Sequence, residues 1–224
     1  MIYLYFDYDK LKDYRLYIVV KPVLKLLSHV VYSSECIGRE NIPKDGRLII
    51  ACNHIATPDP AFIVANCPRE MHYMAKSDLF ERKSLALLFK NMNAFPVRRC
   101  SSDRKALRYA LRVLEKGGVL GIFPEGRRVR QHESLVPTEA LGGVGYIARM
   151  SGADVLPACL YRKPGCSKFR PEITVVFGRV IKNSELGFVG ENKSKEMKAA
   201  SAKIMDAIRL LWLEADSKRK ENEN

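Results

Sequence analysis

The first chemical signal is a histidine and an aspartate five residues apart, His54 and Asp59, inside "CNHIATPDP", Cys52 to Pro60. A carboxylate on one imidazole nitrogen fixes the tautomer and leaves the other nitrogen as a base. Thr57 suits an N-cap and Pro58 the first helical position, which puts Asp59 in a first turn where the helix dipole favours an anion. Locked by its prolines, such a turn would aim Asp59 back at His54. The plainer alternative is a loop histidine beside a capping acid.

Two arginine pairs follow further along. Arg98 and Arg99 end "AFPVRR", and Arg127 and Arg128 end "IFPEGRR". Guanidinium forks suit a phosphate dianion, and Gly126 would let the backbone approach a ligand closely. On a pleated strand Arg98 and Arg99 point to opposite faces, and Arg99 shares the face of Phe95 and Val97. A solvated basic loop is the usual fate of paired arginines. Three polar clusters, each after an apolar strand, weigh against it.

Strands and helices must hold these residues. "ECIG", "LIIAC", "MHYMA", "NAFPV", "VLGIF", "DVLPACL" and "EITVVFG" read as strands. Helices are expected from about Pro58 to Ala65, after Ser77 or Asp78, across "SSDRKALRYALRVLEKGG", from Glu139 to Ser151, and from Ser194 to about Asp216. In the third of these, Ala106, Tyr109, Ala110, Val113 and Leu114 form one stripe. The alternation argues an α/β fold with a mixed, largely parallel sheet flanked by helices. Sites in such sheets gather at the carboxyl ends of strands, which is where His54 emerges.

Three segments are expected: an N-terminal amphipathic helical segment at 1–34, an α/β domain at 35–216 and a disordered tail at 217–224. Between Lys10 and Tyr32, apolar residues mix with Lys12, Arg15, Lys21 and Lys25, and Pro22 is expected to divide the segment into two short helices. Such a basic, apolar-sided segment suits the headgroup boundary of an anionic membrane. A pair of helices covering their own core is the compatible alternative. No signal-peptide layout and no spanning run appear.

Among 224 residues, 38 Lys+Arg against 25 Asp+Glu give a net charge of +13, which favours an anionic partner. A nucleic-acid binder would fit that charge, but no reader motif occurs and the lysines are not interleaved with aromatics, so no nucleic acid is expected. Six scattered cysteines without C-x-x-C read as reduced thiols in a cytosolic setting. No metal site is expected.

"NHIATPD" resembles the Asn-His-x-x-x-x-Asp motif of the 1-acyl-sn-glycerol-3-phosphate (lysophosphatidate) acyltransferase family. "FPVRR", "FPEGRR" and "LPACL" are similar to its second, third and fourth motifs, in order, between about Cys36 and Phe177. The resemblance implies that His54 is the base and Asp59 its orienting partner. It implies that Arg99, Glu125, Gly126 and Arg128 hold the glycerol phosphate, and Asn53 is taken with them as substrate-binding. Two departures, Arg98 where an acid is common and Arg127 where threonine is usual, add positive charge.

The implied reaction moves an acyl group from acyl-CoA or acyl carrier protein, as co-substrate without other cofactor, to the sn-2 hydroxyl of lysophosphatidic acid. Phosphatidic acid results. The implied place is cytoplasmic, peripheral to the inner face of the membrane. An enzyme acting on another lysophospholipid or a polyol phosphate is the same-class alternative. No G-x-S-x-G elbow offers a nucleophile, though Cys52 could form an acyl-cysteine. Acyl chain length and oligomeric state leave no mark in the sequence.

Overall fold

The computed structural model describes residues 6–11, 15–98, 103–129, 136–141, 143–162, 171–190 and 192–221. The apolar runs become β1 (Ser33–Ile37), β2 (Leu48–Cys52), β3 (Met71–Lys76), β4 (Ala94–Val97), β5 (Val119–Ile122), β6 (Asp154–Arg162) and β7 (Glu172–Phe177). They build one sheet in the order β1-β7-β6-β2-β5-β3-β4. Every pairing is parallel except β6 with β7. The α/β class and the largely parallel sheet are therefore as expected. All five residues of β2 are buried, because β5 and β6 flank it and side chains cover both faces.

Six α-helices join the described strands: α1 (Arg15–Val30), α2 (Asp59–Asn66), α3 (Lys83–Asn91), α4 (Arg104–Glu115), α5 (Gly143–Ser151) and α6 (Lys193–Glu221). The α4 stripe of Ala106, Tyr109, Ala110, Val113 and Leu114 is buried in full. Asp103 caps that helix by accepting from the Ala106 N–H. At its other end Gly117 takes φ 74°, and the Gly117 and Gly118 N–H groups return to the Leu114 and Val113 carbonyls. Helices α5 and α6 meet at Gly145, where a β-carbon would lie 2.1 Å from the Met197 carbonyl oxygen.

Three expectations need correction. Pro22 does not divide the N-terminal segment: α1 runs through it, with Pro22 on the exposed side where solvent can satisfy the carbonyl left without its partner. The segment also packs on the domain, as the compatible alternative had it. Phe6, Tyr8 and Tyr17 are buried in the core, the Tyr8 hydroxyl donates to the Pro96 carbonyl (2.7 Å), and the Met71 N–H donates to the Tyr17 hydroxyl (3.3 Å).

Helix α5 starts at Gly143, not Glu139; residues 139–141 are irregular, tied to the loop after β5 by the Leu141 N–H on the Pro124 carbonyl. Residues 217–221, assigned to a disordered tail, are helical: Arg219 pairs with Glu172 of β7, and Lys220 with Asp216 at 2.8 Å. Residues 222–224 of that expected tail lie outside the described residues.

Candidate active site

Strand β2 delivers its last residues to the carboxyl rim of the sheet. Asn53 stays buried there, its Nδ2 donating to the Leu160 carbonyl (3.0 Å) while its Oδ1 accepts the Leu160 N–H (2.8 Å). The side-chain amide thus acts as an extra backbone unit that clips the end of β2 to β6. Asn53 was expected to touch substrate; the same donor and acceptor chemistry is spent on the sheet instead.

His54 comes next. Its Nδ1 lies 2.8 Å from Asp59 Oδ2, and that oxygen also accepts the Ile55 (2.6 Å) and Ala56 (2.7 Å) N–H groups. A carboxylate oxygen that already accepts two N–H bonds requires the imidazole to donate as well, so the proton sits on Nδ1 and the lone pair on Nε2. No described residue bonds Nε2, and the His54 side chain keeps 11% of its exposure. Phe123 stacks on the ring with centroids 4.3 Å apart and planes 26° apart, which fixes its tilt. The expected turn is present: Pro58 is the N-cap residue, Pro60 lies in the first turn of α2, and the chain folds back to put Asp59 against His54. Thr57 is not the cap. It is exposed, and its hydroxyl accepts from Arg128 Nη1 at 2.7 Å.

The second arginine-bearing loop follows β5, which pairs with β2, so "FPEGRR" stands directly beside the histidine. The Val129 N–H donates to the His54 carbonyl (2.7 Å) and binds the two loops together. Glu125 is buried, with Oε2 accepting the His54 N–H (2.8 Å) and Oε1 accepting the Thr138 N–H (2.8 Å) and hydroxyl (3.0 Å). Both carboxylate oxygens therefore face protein donors, and Glu125, expected to hold substrate, braces the His54 backbone. Gly126 adopts φ 65°, and a β-carbon there would come 2.3 Å from Leu141 Cδ1. The positive φ is what calls for glycine there, since the exposed Leu141 side chain can turn aside.

Arg128 is exposed at the mouth, with guanidinium donors beyond the one Thr57 accepts. Arg98 follows β4, which runs parallel to β3, as β3 does to β5, so it reaches the same rim. Three strand spacings separate β4 from β2, roughly 14 Å. Arg99 lies outside the described residues. Sequence reasoning missed Thr57, Phe123 and Thr138 as members of the site. Thr138 carried no local signal, since it meets Glu125 only in three dimensions.

The model of the acyltransferase family matches residues 33–161. The chain is 30% identical over 173 residues to the 1-acyl-sn-glycerol-3-phosphate acyltransferase of Bacillus subtilis (strain 168), covering 75% of this chain and 82% of that protein. It belongs to this acyltransferase family. The protein of the same name from Borreliella burgdorferi is 33% identical over 126 residues, 55% of this chain and 49% of the relative. The crystal structure of the 1-acyl-sn-glycerophosphate acyltransferase PlsC from Thermotoga maritima shares the fold, with a TM-score of 0.63 at 20% identity over 89% of this chain and 84% of that one. Within this acyltransferase the family match spans β1 to β6 and takes in His54, Asp59, Glu125 and Arg128; α6 lies beyond it.

An acyltransferase with a cysteine two residues before its histidine raises the question of an acyl-enzyme. Burial pushes the Cys52 thiol well above its usual range, and the charges of Cys159, Asp59 and Glu125 push it further. A thiol held protonated is a poor nucleophile. Cys52→Ala is accordingly expected to keep kcat within about 3-fold of the parent, apart from a modest loss of stability through the small cavity. A loss above 100-fold in a folded variant would instead establish acyl-cysteine chemistry.

Proposed function

We propose that the protein transfers an acyl group from an acyl thioester, carried by coenzyme A or acyl carrier protein, to the sn-2 hydroxyl of lysophosphatidic acid. Phosphatidic acid and a free thiol are the products. The carrying observation is the His54 ring, oriented by Asp59 through Nδ1, with Nε2 open at the rim and Arg128 on the adjoining loop. His54 Nε2 takes the hydroxyl proton as the acceptor oxygen attacks the thioester carbonyl. The tetrahedral intermediate then expels the thiolate, which takes the proton from the imidazolium, and the base is regenerated. Arg128, with Arg99, holds the phosphate of the acceptor, and the intermediate's oxyanion is met by N–H donors at the site.

Incubation of the purified protein with one labelled acyl thioester and a panel of acceptors tests this. Faster acylation of lysophosphatidic acid than of lysophosphatidylcholine or glycerol 3-phosphate is expected. Preference for one of the others would move the assignment to the same-class alternative that Arg98 and Arg127 keep in view.

The same reading places the enzyme on the inner face of the cytoplasmic membrane. Among the described residues no helix is long and apolar enough to cross a membrane. Helix α1 nevertheless turns Tyr17, Leu24 and Ser28 toward the domain and leaves Ile18, Val19, Val23, Leu26, Leu27 and Val30 outward, Ile18 at 72% and Leu26 at 64% exposure. The sequence of that helix carries Arg15, Lys21 and Lys25 and no acid. An outward apolar stripe with only cations on its helix fits an anionic bilayer surface.

The triple variant Ile18→Ser, Leu26→Ser, Val30→Ser removes mostly exposed atoms and spares Tyr17, which deletion of the segment would not. It is expected to lose at least about 10-fold in binding to phosphatidylglycerol vesicles, with its melting temperature unchanged. Parent protein that ignores vesicles and runs as a dimer would overturn the membrane assignment.

A further inference from the structure

We propose that Arg209 and Thr138 position the reaction base through Glu125, in a relay that runs from α6 to the His54 backbone. The function of the relay rests on the acyl-transfer reading above. Glu125 is 3% exposed, and among the described residues no cationic side chain bonds it. It depends on three neutral donors: the His54 N–H on one oxygen, and the Thr138 N–H and hydroxyl on the other. A buried carboxylate held this way goes where its donors put it.

Two of those donors sit on residues 136–141, which form neither helix nor strand. Arg209 holds that stretch in place. Its Nε donates to the Pro137 carbonyl (3.0 Å) and its Nη2 to the Thr138 carbonyl (2.9 Å), while Nη1 donates to Asp206 Oδ1 (2.7 Å). The Pro137 carbonyl and the Thr138 N–H belong to one planar peptide unit. Arg209 therefore grips one end of the peptide whose other end donates to Glu125. A guanidinium on the carbonyl also polarises the N–H across that unit and strengthens its bond to the carboxylate.

Loss of the grip frees the peptide to rotate, takes two donors from Glu125, and loosens the backbone N–H that sets the height of the imidazole. Position 209 lies beyond the residues that the family model matches, and no feature of the third motif points to it.

The experiment compares Arg209→Ala, Arg209→Lys and Thr138→Val with Arg149→Ala. Arg149 pairs with Glu196 near the start of α6, so its removal loosens that helix without touching the relay. Arg209→Ala is expected to lower kcat about 10–30-fold, with both KM values within about 3-fold of the parent. Arg209→Lys, which reaches one carbonyl, and Thr138→Val, which keeps its N–H, are expected to lose less; these two carry the test if Arg209→Ala does not fold. Arg149→Ala is expected to melt at a lower temperature with its kcat kept.

A second readout needs no activity. In protein labelled with 15N-histidine, the His54 backbone amide, assigned by its disappearance in His54→Gln, is expected to shift upfield in the Arg209 variants and to stay in Arg149→Ala. An unmoved amide overturns the relay even in an active enzyme. So does an equal kcat loss in Arg149→Ala. A moved amide in a protein without acyl transfer keeps the relay and removes only the proposed reaction.

Discussion

Replacing His54 by alanine is expected to reduce kcat by about 10³-fold or more, because no other described base stands at the rim beside Arg128. The fold is expected to survive. What the structure loses is one ring stacked on Phe123, worth about 1 kcal/mol, while the backbone bond to Glu125 remains. His54→Gln is the stricter form, since its amide fills the space yet has no basic nitrogen. Initial rates with lysophosphatidic acid, set beside melting temperatures, read the result. Near-normal turnover in either variant would falsify the proposed mechanism.

The second large effect belongs to Asp59→Asn, where kcat is expected to fall by on the order of 10³-fold. Asp59 Oδ2 accepts from three donors at once, His54 Nδ1 and the Ile55 and Ala56 N–H groups. An asparagine with its amide oxygen in the place of Oδ2 still accepts all three bonds, and its nitrogen takes the place of Oδ1, away from the ring. What it loses is the negative charge that stabilises the imidazolium as His54 takes the proton. The loss is one of charge and not of shape, so 15N shifts of the ring nitrogens are expected to keep the proton on Nδ1 while kcat falls. A variant with full activity would show that Asp59 serves the turn alone. Asp59→Ala is a poorer probe. It leaves the donors without their acceptor and is expected to cost about 2–4 kcal/mol of stability as well.

The local parts of the site were legible because they depend on neighbours in the chain. The five-residue step from His54 to Asp59, punctuated by Pro58 and Pro60, has few ways to fold, and its short-range sterics bring the two side chains together. The α4 stripe and the buried β2 run were legible for a similar reason, since hydrophobic periodicity reports which side of an element loses water. The N-terminal segment was read less well. Its apolar and basic residues were visible, but the side that α1 would turn outward was set by Tyr17 docking on Met71, far along the chain.

Polar residues with long-range partners were read less completely. An asparagine and a glutamate beside a histidine look like substrate ligands, because amide and carboxylate groups serve either purpose. Asn53 meets Leu160, 107 residues away, and Glu125 meets both the His54 backbone and Thr138. Those encounters turn both residues into braces.

What the sequence by itself determined was the class of sheet, the strand ends that carry chemistry, and the pairing of His54 with Asp59, all products of periodicity and short-range geometry. Only the tertiary structure decided that Asn53 clips β2 to β6, that Glu125 braces the His54 backbone, that Arg128 meets Thr57, and that α6 reaches Thr138 through Arg209. The physical reason is that a polar side chain states which bonds it can make, whereas burial and strand order choose the partner.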